Sequence, residues 1–143
     1  MSKFKGEEVV AANSTIYEIP ILLVEDNIDL IVAFDLFLKD EGYNNVKACS
    51  DSKCALKYVI EDIKRYKLVI LDIRMPEING IHLYQIFRIL NPSIKTMFLT
   101  ALDDISYVLT TAFPKVKKSD IMEKPIDRLK FIERVNYKIK RMQ

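Results

Sequence analysis

Short apolar segments and longer periodic segments alternate along the chain. Three unbroken apolar runs rich in branched residues, at 19–24, 68–71 and 96–99, predict strands buried on both faces. Such strands are typical of parallel sheets. Two further segments, 45–49 and 120–123, alternate in polarity or are flanked by charge, and they predict edge strands.

Between and after these strands, apolar residues recur with the period of an amphipathic helix. The five helical stretches are 30–38, 55–63, 83–90, 105–112 and 129–139. Strict alternation predicts an α/β fold, a doubly wound five-stranded parallel sheet with five helices on its two faces. Three central and two edge strands fit the order 2-1-3-4-5, which is the order of flavodoxin-like folds.

One folded domain is predicted at 19–143, after an N-terminal extension at 1–18 that fits neither pattern. Half of the 143 residues are apolar and 29% are charged, which excludes a disordered chain. No apolar run reaches the roughly 20 residues of a membrane span, and the charged N-terminus lacks the apolar core of a signal peptide. We therefore expect a cytoplasmic protein without a membrane partner.

Charge is distributed unevenly, although the formal net charge is only +2. Residues 113–143 carry ten Lys or Arg and four Asp or Glu. Residues 1–112 carry twelve Lys or Arg and sixteen Asp or Glu. The asymmetry predicts an acidic site in the first part and a basic surface in the second. The last helix contributes a basic stripe, defined by Lys130, Arg134, Lys138 and Arg141. The stripe is either a solvated face or a docking surface for an acidic protein, and nucleic-acid binding is disfavoured because no aromatic residues are interleaved.

Cysteine and histidine are scarce, which excludes several kinds of site. Cys49 and Cys54 alone form neither a disulfide framework nor a four-ligand zinc site, and we expect two small, partly buried residues. His82 is the single histidine and lies in a helical stretch without a nucleophile motif. A Ser-His-Asp triad is therefore disfavoured, and His82 is expected on a helix surface.

Chemically active residues follow four of the five predicted strands. The first strand ends in Glu25 and Asp26, the third in Asp72, the fourth in Thr100 and the fifth in Lys124. Because parallel strands end at one edge of a sheet, these groups should converge there. Crowded carboxylates repel one another unless a cation joins them, and their oxygens suit Mg²⁺. One carboxylate could then attack a phosphoryl group whose oxygens are neutralised by the metal and the lysine.

Four short motifs mark these strand ends. They are Leu-Val-Glu-Asp-Asn at 23–27, Asp-Ile-Arg-Met-Pro-Glu-Ile-Asn-Gly at 72–80, Leu-Thr-Ala at 99–101 and Lys-Pro at 124–125. With these motifs in this order, the chain resembles the receiver domain of two-component response regulators over residues 19–141. The resemblance implies a stand-alone switch, similar to the chemotaxis regulators, that acts through protein–protein contacts or relays phosphate.

The resemblance also implies a metal and phosphoryl-acceptor site. Asp72 would accept the phosphoryl group from a phospho-histidine on a sensor histidine kinase or phosphotransfer protein. Asp26, Asp72 and the backbone carbonyl of Arg74 would bind Mg²⁺, and Glu25 would assist through water. The domain would catalyse only its own phosphorylation and dephosphorylation, and a downstream protein would read the result.

Four further expectations come from the same resemblance. Lys124 would pair with the phosphoryl oxygens, and Thr100 would hydrogen-bond the phosphoryl group and report its presence. The peptide bond between Lys124 and Pro125 would be cis. Gly80 would give the loop before the third helix conformational freedom.

The output switch departs from the family pattern. The family usually has Tyr or Phe three residues before the lysine, where this chain has Ile121. We therefore expect phosphorylation to change the surface of the fourth helix, fifth strand and fifth helix only modestly, with Tyr107 as a weak substitute. In the family, the residues two positions after the acceptor Asp and two positions after the Thr flank the path of the water that removes the phosphoryl group. Here they are Arg74 and Leu102. Neither is suited to orient a water and Leu102 adds apolar cover, which predicts slow loss of the phosphoryl group.

Two other functions stay open at this point. A pseudo-receiver that is never phosphorylated is compatible with Ile121, although the full acidic set and Lys124 argue against it. A Mg²⁺-dependent phosphatase of the haloacid dehalogenase type would need an Asp-x-Asp motif at the first strand end. Neither 25–27 nor 72–74 provides that motif.

Overall fold

The structure is a computed structural model that describes residues 16–101 and 103–142. Its strands are β1 (Ile21–Val24), β2 (Val46–Cys49), β3 (Leu68–Asp72), β4 (Lys95–Thr100) and β5 (Ile121–Glu123). Its helices are α1 (Ile28–Glu41), α2 (Ser52–Glu61), α3 (Gly80–Leu90), α4 (Asp103–Ala112) and α5 (Arg128–Lys140), and a 3₁₀ turn at Lys118–Asp120 precedes β5. Within these described residues, no helix has the length and apolar character that crossing a bilayer requires.

The five strands form one parallel sheet in the order β2-β1-β3-β4-β5, which confirms the predicted flavodoxin-like fold. The register aligns the carboxyl ends of neighbouring strands. Val24 at the end of β1 lies opposite Cys49 on one side and Leu71 on the other, and Thr100 lies opposite Glu123. Residues that follow the strands therefore emerge along one edge of the sheet.

The sheet separates the core into two layers. On one face, α1 packs against α5, and the rings of Phe34 and Phe131 stack with centroids 5.0 Å apart. On the other face, α2, α3 and α4 bury residues that include Val59, Phe87 and Leu109. Every residue of β1 and β3 is buried, because both faces of these central strands are covered.

Side-chain caps fix where the helices begin, and so fix the loops that follow the strands. Asn27, Asp51, Asn79 and Asp127 each precede a helix and accept a hydrogen bond from a backbone N–H in its first turn. Gly42 ends α1 in the left-handed conformation with φ of 114°.

The last residues of the predicted extension contact the loop between α1 and β2. The ring of Tyr17 meets the ring of Tyr43 edge-on, with centroids 4.9 Å apart. The carbonyl of Tyr17 accepts a hydrogen bond from the backbone N–H of Asn44, and the carbonyl of Glu18 accepts one from the side chain of Asn45. Residues 1–15 of the predicted extension lie outside the described residues.

Candidate functional site

Three carboxylates meet at the carboxyl edge of the sheet, as the sequence predicts. Each of Glu25, Asp26 and Asp72 offers an oxygen, and these oxygens all lie within 4.8 Å of one another. The adjacent strands β1 and β3 position them, because Glu25 and Asp26 follow β1 directly and Asp72 is the last residue of β3. Glu25 is fully buried and Asp72 is 3% exposed, whereas Asp26 is exposed to solvent.

Lys124 supplies the positive charge of this cluster. Its Nζ lies 2.7 Å from Glu25 Oε1 and 3.5 Å from Asp72 Oδ1. The contact with Glu25 is an ion pair rather than a directed hydrogen bond, because no donor among the described residues meets Oε1 with hydrogen-bond geometry. The backbone N–H of Lys124 donates to the carbonyl of Thr100 at 2.6 Å, which ties the residue after β5 to the end of β4.

Glu25 is held at its carboxylate by two contacts and at its backbone by a third. Its second oxygen, Oε2, accepts a hydrogen bond from the backbone N–H of Asn27 at 3.1 Å. The backbone N–H of Glu25 donates to the carbonyl of Cys49 at the end of β2. A buried carboxylate is stable only when its oxygens have such partners, so Lys124 and the N–H of Asn27 compensate the loss of water around Glu25.

The environment of Asp72 disfavours its charged form. Burial is the main cause and the nearby Glu25 carboxylate adds to it, so that the pKa of Asp72 rises to about 8, although Lys124 opposes the rise. Asp72 is therefore mostly protonated at neutral pH when no cation is bound. A divalent cation at this position would favour the ionised form, since it adds the opposite charge.

The donor set fits Mg²⁺. All the donors are hard oxygens, and they lie on two strand ends within the reach of one ion. Asp26 is exposed, so solvent reaches the cluster and can supply the waters that Mg²⁺ keeps when bound. Arg74, whose carbonyl the resemblance assigns to the metal, is fixed to Asp72 by a hydrogen bond from its backbone N–H to Oδ1 at 3.2 Å.

The loop between β3 and α3 requires glycine for a reason that differs from the sequence prediction. The predicted reason was conformational freedom, but the φ of Gly80 does not lie in the left-handed region, whereas Glu77 has φ of 68°. A Cβ on Gly80 would lie 2.2 Å from the carbonyl oxygen of Asp72 and 2.7 Å from the Cα of Ile73. Gly80 is therefore required by the close approach of α3 to the backbone of Asp72.

The switch position, where the family has Tyr or Phe, lies at the start of β5, two strands from Asp72 at the end of β3. Ile121 begins β5, is 8% exposed and lies opposite Phe98 of β4. It belongs to an apolar cluster with the rings of Tyr84 and Phe98, which meet at 5.0 Å. Thr100, two residues after Phe98 at the carboxyl end of β4, is buried, whereas Tyr107 is 75% exposed and has the position of a surface residue. Leu102, the predicted cover of the attacking water's path, lies outside the described residues.

Two smaller predictions are confirmed by the geometry. The peptide bond between Lys124 and Pro125 is cis. His82 is exposed on α3, where its backbone N–H donates to the side chain of Asn79.

A contact between the two cysteines is not predicted by the sequence pattern. Cys49 is buried, Cys54 is half-buried, and their sulfur atoms lie 2.6 Å apart. Burial, followed by the contact with Cys54, raises the pKa of the Cys49 thiol, which keeps it protonated. The signal in the sequence was the five-residue spacing across a strand-to-helix turn, with Asp51 capping the helix at the backbone N–H of Cys54.

The basic stripe on α5 is not a uniform solvated face. Arg134 donates to the carbonyls of Ser119 and Ile121 at 2.8 and 3.0 Å. Lys138 forms an ion pair with Asp120 in the 3₁₀ turn. These two of the four cations therefore attach β5 and the turn before it to α5, a structural role that the helical pattern alone did not indicate.

Comparison with known proteins identifies the family. The family model of the response regulator receiver domain matches residues 21–136, which is most of the chain. The chain belongs to this family. Family membership, the predicted sheet order and the strand-end residues agree, so this is a receiver domain of response regulators.

The receiver domain is similar to parts of longer regulators. It is 31% identical over 109 residues to the transcriptional regulatory protein ZraR of Escherichia coli K12, covering 76% of this chain and 24% of that protein. It is 33% identical over 123 residues to a transcriptional regulatory protein of Haemophilus influenzae, a CpxR homolog. This match covers 85% of this chain and 50% of that protein. The chain thus spans a quarter to a half of the length of these relatives.

A solved structure shows the same fold. A response regulator receiver domain protein from Clostridium thermocellum superposes with a TM-score of 0.75 at 21% identity, covering 87% of this chain and 96% of that one. This likeness supports the architecture of the sheet and helices.

Proposed function

We propose that this receiver domain is the phosphoryl acceptor of a two-component phosphorelay and that Asp72 is the acceptor residue. The observation that supports the proposal is the environment of its carboxylate. It lies at the end of β3, within 4.8 Å of two further carboxylates and 3.5 Å from the ammonium of Lys124. This combination of one nucleophile, oxygen ligands for a cation and a fixed positive charge is what phosphoryl transfer needs.

The proposed reaction is a transfer between two residues of different proteins. A carboxylate oxygen of Asp72 attacks the phosphorus of a phospho-histidine on a sensor kinase or phosphotransfer protein. The new P–O bond forms as the P–N bond breaks, and the departing imidazole nitrogen takes up a proton. The attack requires an ionised carboxylate, so the raised pKa of Asp72 makes the reaction depend on a cation that favours ionisation.

Mg²⁺ is the proposed cofactor, and Asp26, Asp72 and the carbonyl of Arg74 are its proposed ligands, with Glu25 assisting through water. When bound, Mg²⁺ supplies positive charge that stabilises the transferring oxygens. The residues present favour this assignment because each offers an oxygen. The hydrogen bond between Asp72 and the backbone of Arg74 keeps the two positions adjacent.

Lys124 and Thr100 are the proposed contacts of the transferred group. Lys124 Nζ already lies within 4 Å of both Glu25 and Asp72, so a small movement brings it from the carboxylate of Glu25 to a phosphoryl oxygen. Thr100 ends the neighbouring strand β4, and its hydroxyl is the proposed hydrogen-bond donor to that group. The hydrogen bond from the backbone N–H of Lys124 to the carbonyl of Thr100 couples the proposed movements of these two residues.

The proposed output is a modest change on the surface formed by α4, β5 and α5, read by a downstream protein. Ile121 is buried against Phe98, and an aliphatic side chain there has no ring to turn inward when Thr100 moves. The domain is proposed to catalyse only its own phosphorylation and dephosphorylation. We propose that the phosphoryl transfer takes place in the cytoplasm, where free thiols such as those of Cys49 and Cys54 stay reduced.

Intact-mass measurement tests the proposal. The protein is incubated with Mg²⁺ and acetyl phosphate, alongside Asp72→Asn and the matched control Asp62→Asn, which changes an exposed aspartate at the end of α2. We expect a single phosphoryl adduct on the wild type and the control, and none on Asp72→Asn or in EDTA. No adduct with this donor or a kinase would favour the pseudo-receiver, and rapid multiple turnover of phosphate esters would favour the phosphatase.

A further inference from the structure

A cavity lies at the opposite edge of the sheet from the acidic cluster. It has a volume of about 410 Å³ and opens between the end of α3, the start of β4, the loop before β5 and the last turn of α5. β4 connects the two places, since Lys95 at its start lines the cavity and Thr100 at its end lies beside the acidic cluster. The two places are separated by roughly 17 Å along this strand.

The lining of this cavity is strongly basic. Six cationic residues line it: Arg88, Lys95, Lys115, Lys117, Lys138 and Arg141. Asp120 is the acidic residue of the lining, and both of its carboxylate oxygens have partners already. One forms the ion pair with Lys138, and the other accepts a hydrogen bond from the backbone N–H of Lys117 at 2.9 Å.

The remaining five cations have no carboxylate within 4 Å among the residues that the structure describes. Two of them are guanidinium groups held by aromatic rings. Arg88 lies 5.6 Å from the centroid of Tyr84, and Arg141 lies 5.2 Å from the centroid of Tyr137 and donates to its hydroxyl at 3.2 Å. Guanidinium groups fixed in this way suit the planar, two-point recognition of phosphate oxygens.

An uncompensated polar atom lies in the same lining. Thr96, the second residue of β4, is 7% exposed, and its buried hydroxyl oxygen has no hydrogen-bond partner within 16–101 and 103–142. Buried hydroxyl groups without a partner are uncommon in folded proteins, because the lost hydrogen bonds to water are not replaced. Five cations without a carboxylate partner and a buried hydroxyl without a hydrogen-bond partner, all among the described residues, together suit a ligand rich in anionic oxygen atoms.

We propose that this cavity binds a compact polyphosphate anion, free or as the phosphate chain of a nucleotide. The volume lies within the range of roughly 300–1,000 Å³ that small-molecule sites occupy, which favours a small ligand over an extended nucleic acid. A ligand that complements five cations around one cavity carries several negative charges in a small space. A chain of two or three phosphates provides that density of charge, and a dicarboxylate does not.

Calorimetric titration in metal-free buffer with EDTA tests this site independently of phosphorylation. The probes are inorganic tripolyphosphate and ATP. The test variant is Lys95→Gln/Lys115→Gln, which removes two exposed lining charges without breaking an ion pair among the described residues. The matched control is Lys57→Gln/Lys64→Gln, which removes two exposed charges at or just after α2.

We expect saturable binding of tripolyphosphate by the wild type, weakened at least about tenfold in the test variant and less than about twofold in the control. Similar affinities for both probes would assign the site to the phosphate chain, and tighter binding of ATP would assign it to a nucleotide. Equal weakening in both variants would overturn the proposal, since binding would then follow net charge. Absence of saturation at millimolar probe, or a preference for an oligonucleotide or an acidic peptide over both probes, would also overturn it.

Discussion

The ammonium group of Lys124 lies closer to the buried carboxylate of Glu25, at 2.7 Å, than to that of Asp72, at 3.5 Å. In this state Lys124 therefore mainly compensates the buried charge of Glu25. Asp72 receives less of that compensation and keeps a raised pKa. The same lysine that is proposed to bind the phosphoryl group thus also stabilises the fold before the group arrives.

Removing this lysine is expected to destabilise the domain. Lys124→Met leaves Glu25 buried without its ion pair, and we expect a loss of about 2–4 kcal/mol in the free energy of unfolding. The loss should fall below that of a fully buried pair, because the side chain of Lys124 is 20% exposed. Urea denaturation in EDTA measures it. Adding Glu25→Gln to Lys124→Met should restore part of the stability, and a further loss in the double variant would contradict the pairing.

Gly80→Ala is expected to damage both the fold and the site. The new Cβ would lie 2.2 Å from the carbonyl oxygen of Asp72, so α3 or the end of β3 must shift. We expect a loss of roughly 1–3 kcal/mol or more from overpacking, and slower phosphorylation by acetyl phosphate. Gly42→Ala is the control. It strains a backbone with φ of 114° far from the site, so it should lower stability while leaving the phosphorylation rate of the folded protein unchanged. Equal phosphorylation rates for folded Gly80→Ala and wild type would contradict this account.

The raised pKa of Asp72 predicts a specific dependence of stability on pH. The folded state holds this proton more tightly than the unfolded chain does. The stabilisation that this proton gives the folded state is full below the unfolded pKa of about 3.8. It falls as pH rises and is lost above about pH 8. The advantage of Asp72→Asn over wild type in EDTA should therefore grow between these pH values, to the order of a few kcal/mol, and then level off. Urea denaturation at pH 5, 7 and 9 measures it, and a constant difference would contradict the burial of Asp72.

Binding of Mg²⁺ should release the same proton. The apparent affinity for Mg²⁺ should therefore rise with pH up to about 8 and become constant above it. The gain in melting temperature with added Mg²⁺ measures the affinity, because ligand binding to the folded state stabilises it. Asp72→Asn should bind Mg²⁺ more weakly and lose this pH dependence. An unchanged dependence in that variant would assign the proton to another residue.

Ile121 predicts a small structural response to phosphorylation. The aliphatic side chain lies opposite Phe98 in the buried cluster, so the states before and after phosphorylation should differ little in packing there. Amide exchange with and without the phosphoryl mimic beryllofluoride should change little over residues 106–123 in the wild type. Ile121→Tyr should enlarge the change, because a tyrosine can occupy both buried and exposed positions. Large protection changes in the wild type would contradict the prediction.

The sequence predicted those features that depend on short stretches of chain. Apolar runs located β1 and β3, amphipathic periodicity located the helices, and strand order then brought Glu25, Asp26 and Asp72 together. These features follow from periodicity and from the fact that parallel strands end at one edge.

The features that the sequence did not reveal depend on contacts between distant segments. The approach of Gly80 to the carbonyl of Asp72 and the contact of Arg134 with β5 arise only when helices pack on the sheet. The basic cavity likewise combines Arg88, Lys95 and Arg141 from three separate elements. No local pattern of charge or hydropathy specifies such contacts.

Locating the phosphoryl group on the chain tests the central claim most directly. Protein treated with Mg²⁺ and acetyl phosphate is reduced with borohydride, which converts an acyl phosphate into an alcohol, and its peptides are then sequenced by mass spectrometry. The account predicts one reduced side chain, at Asp72, and none when EDTA replaces Mg²⁺. Reduction at Asp26 or at another carboxylate, or an unmodified Asp72 in protein that carries the adduct, would contradict it.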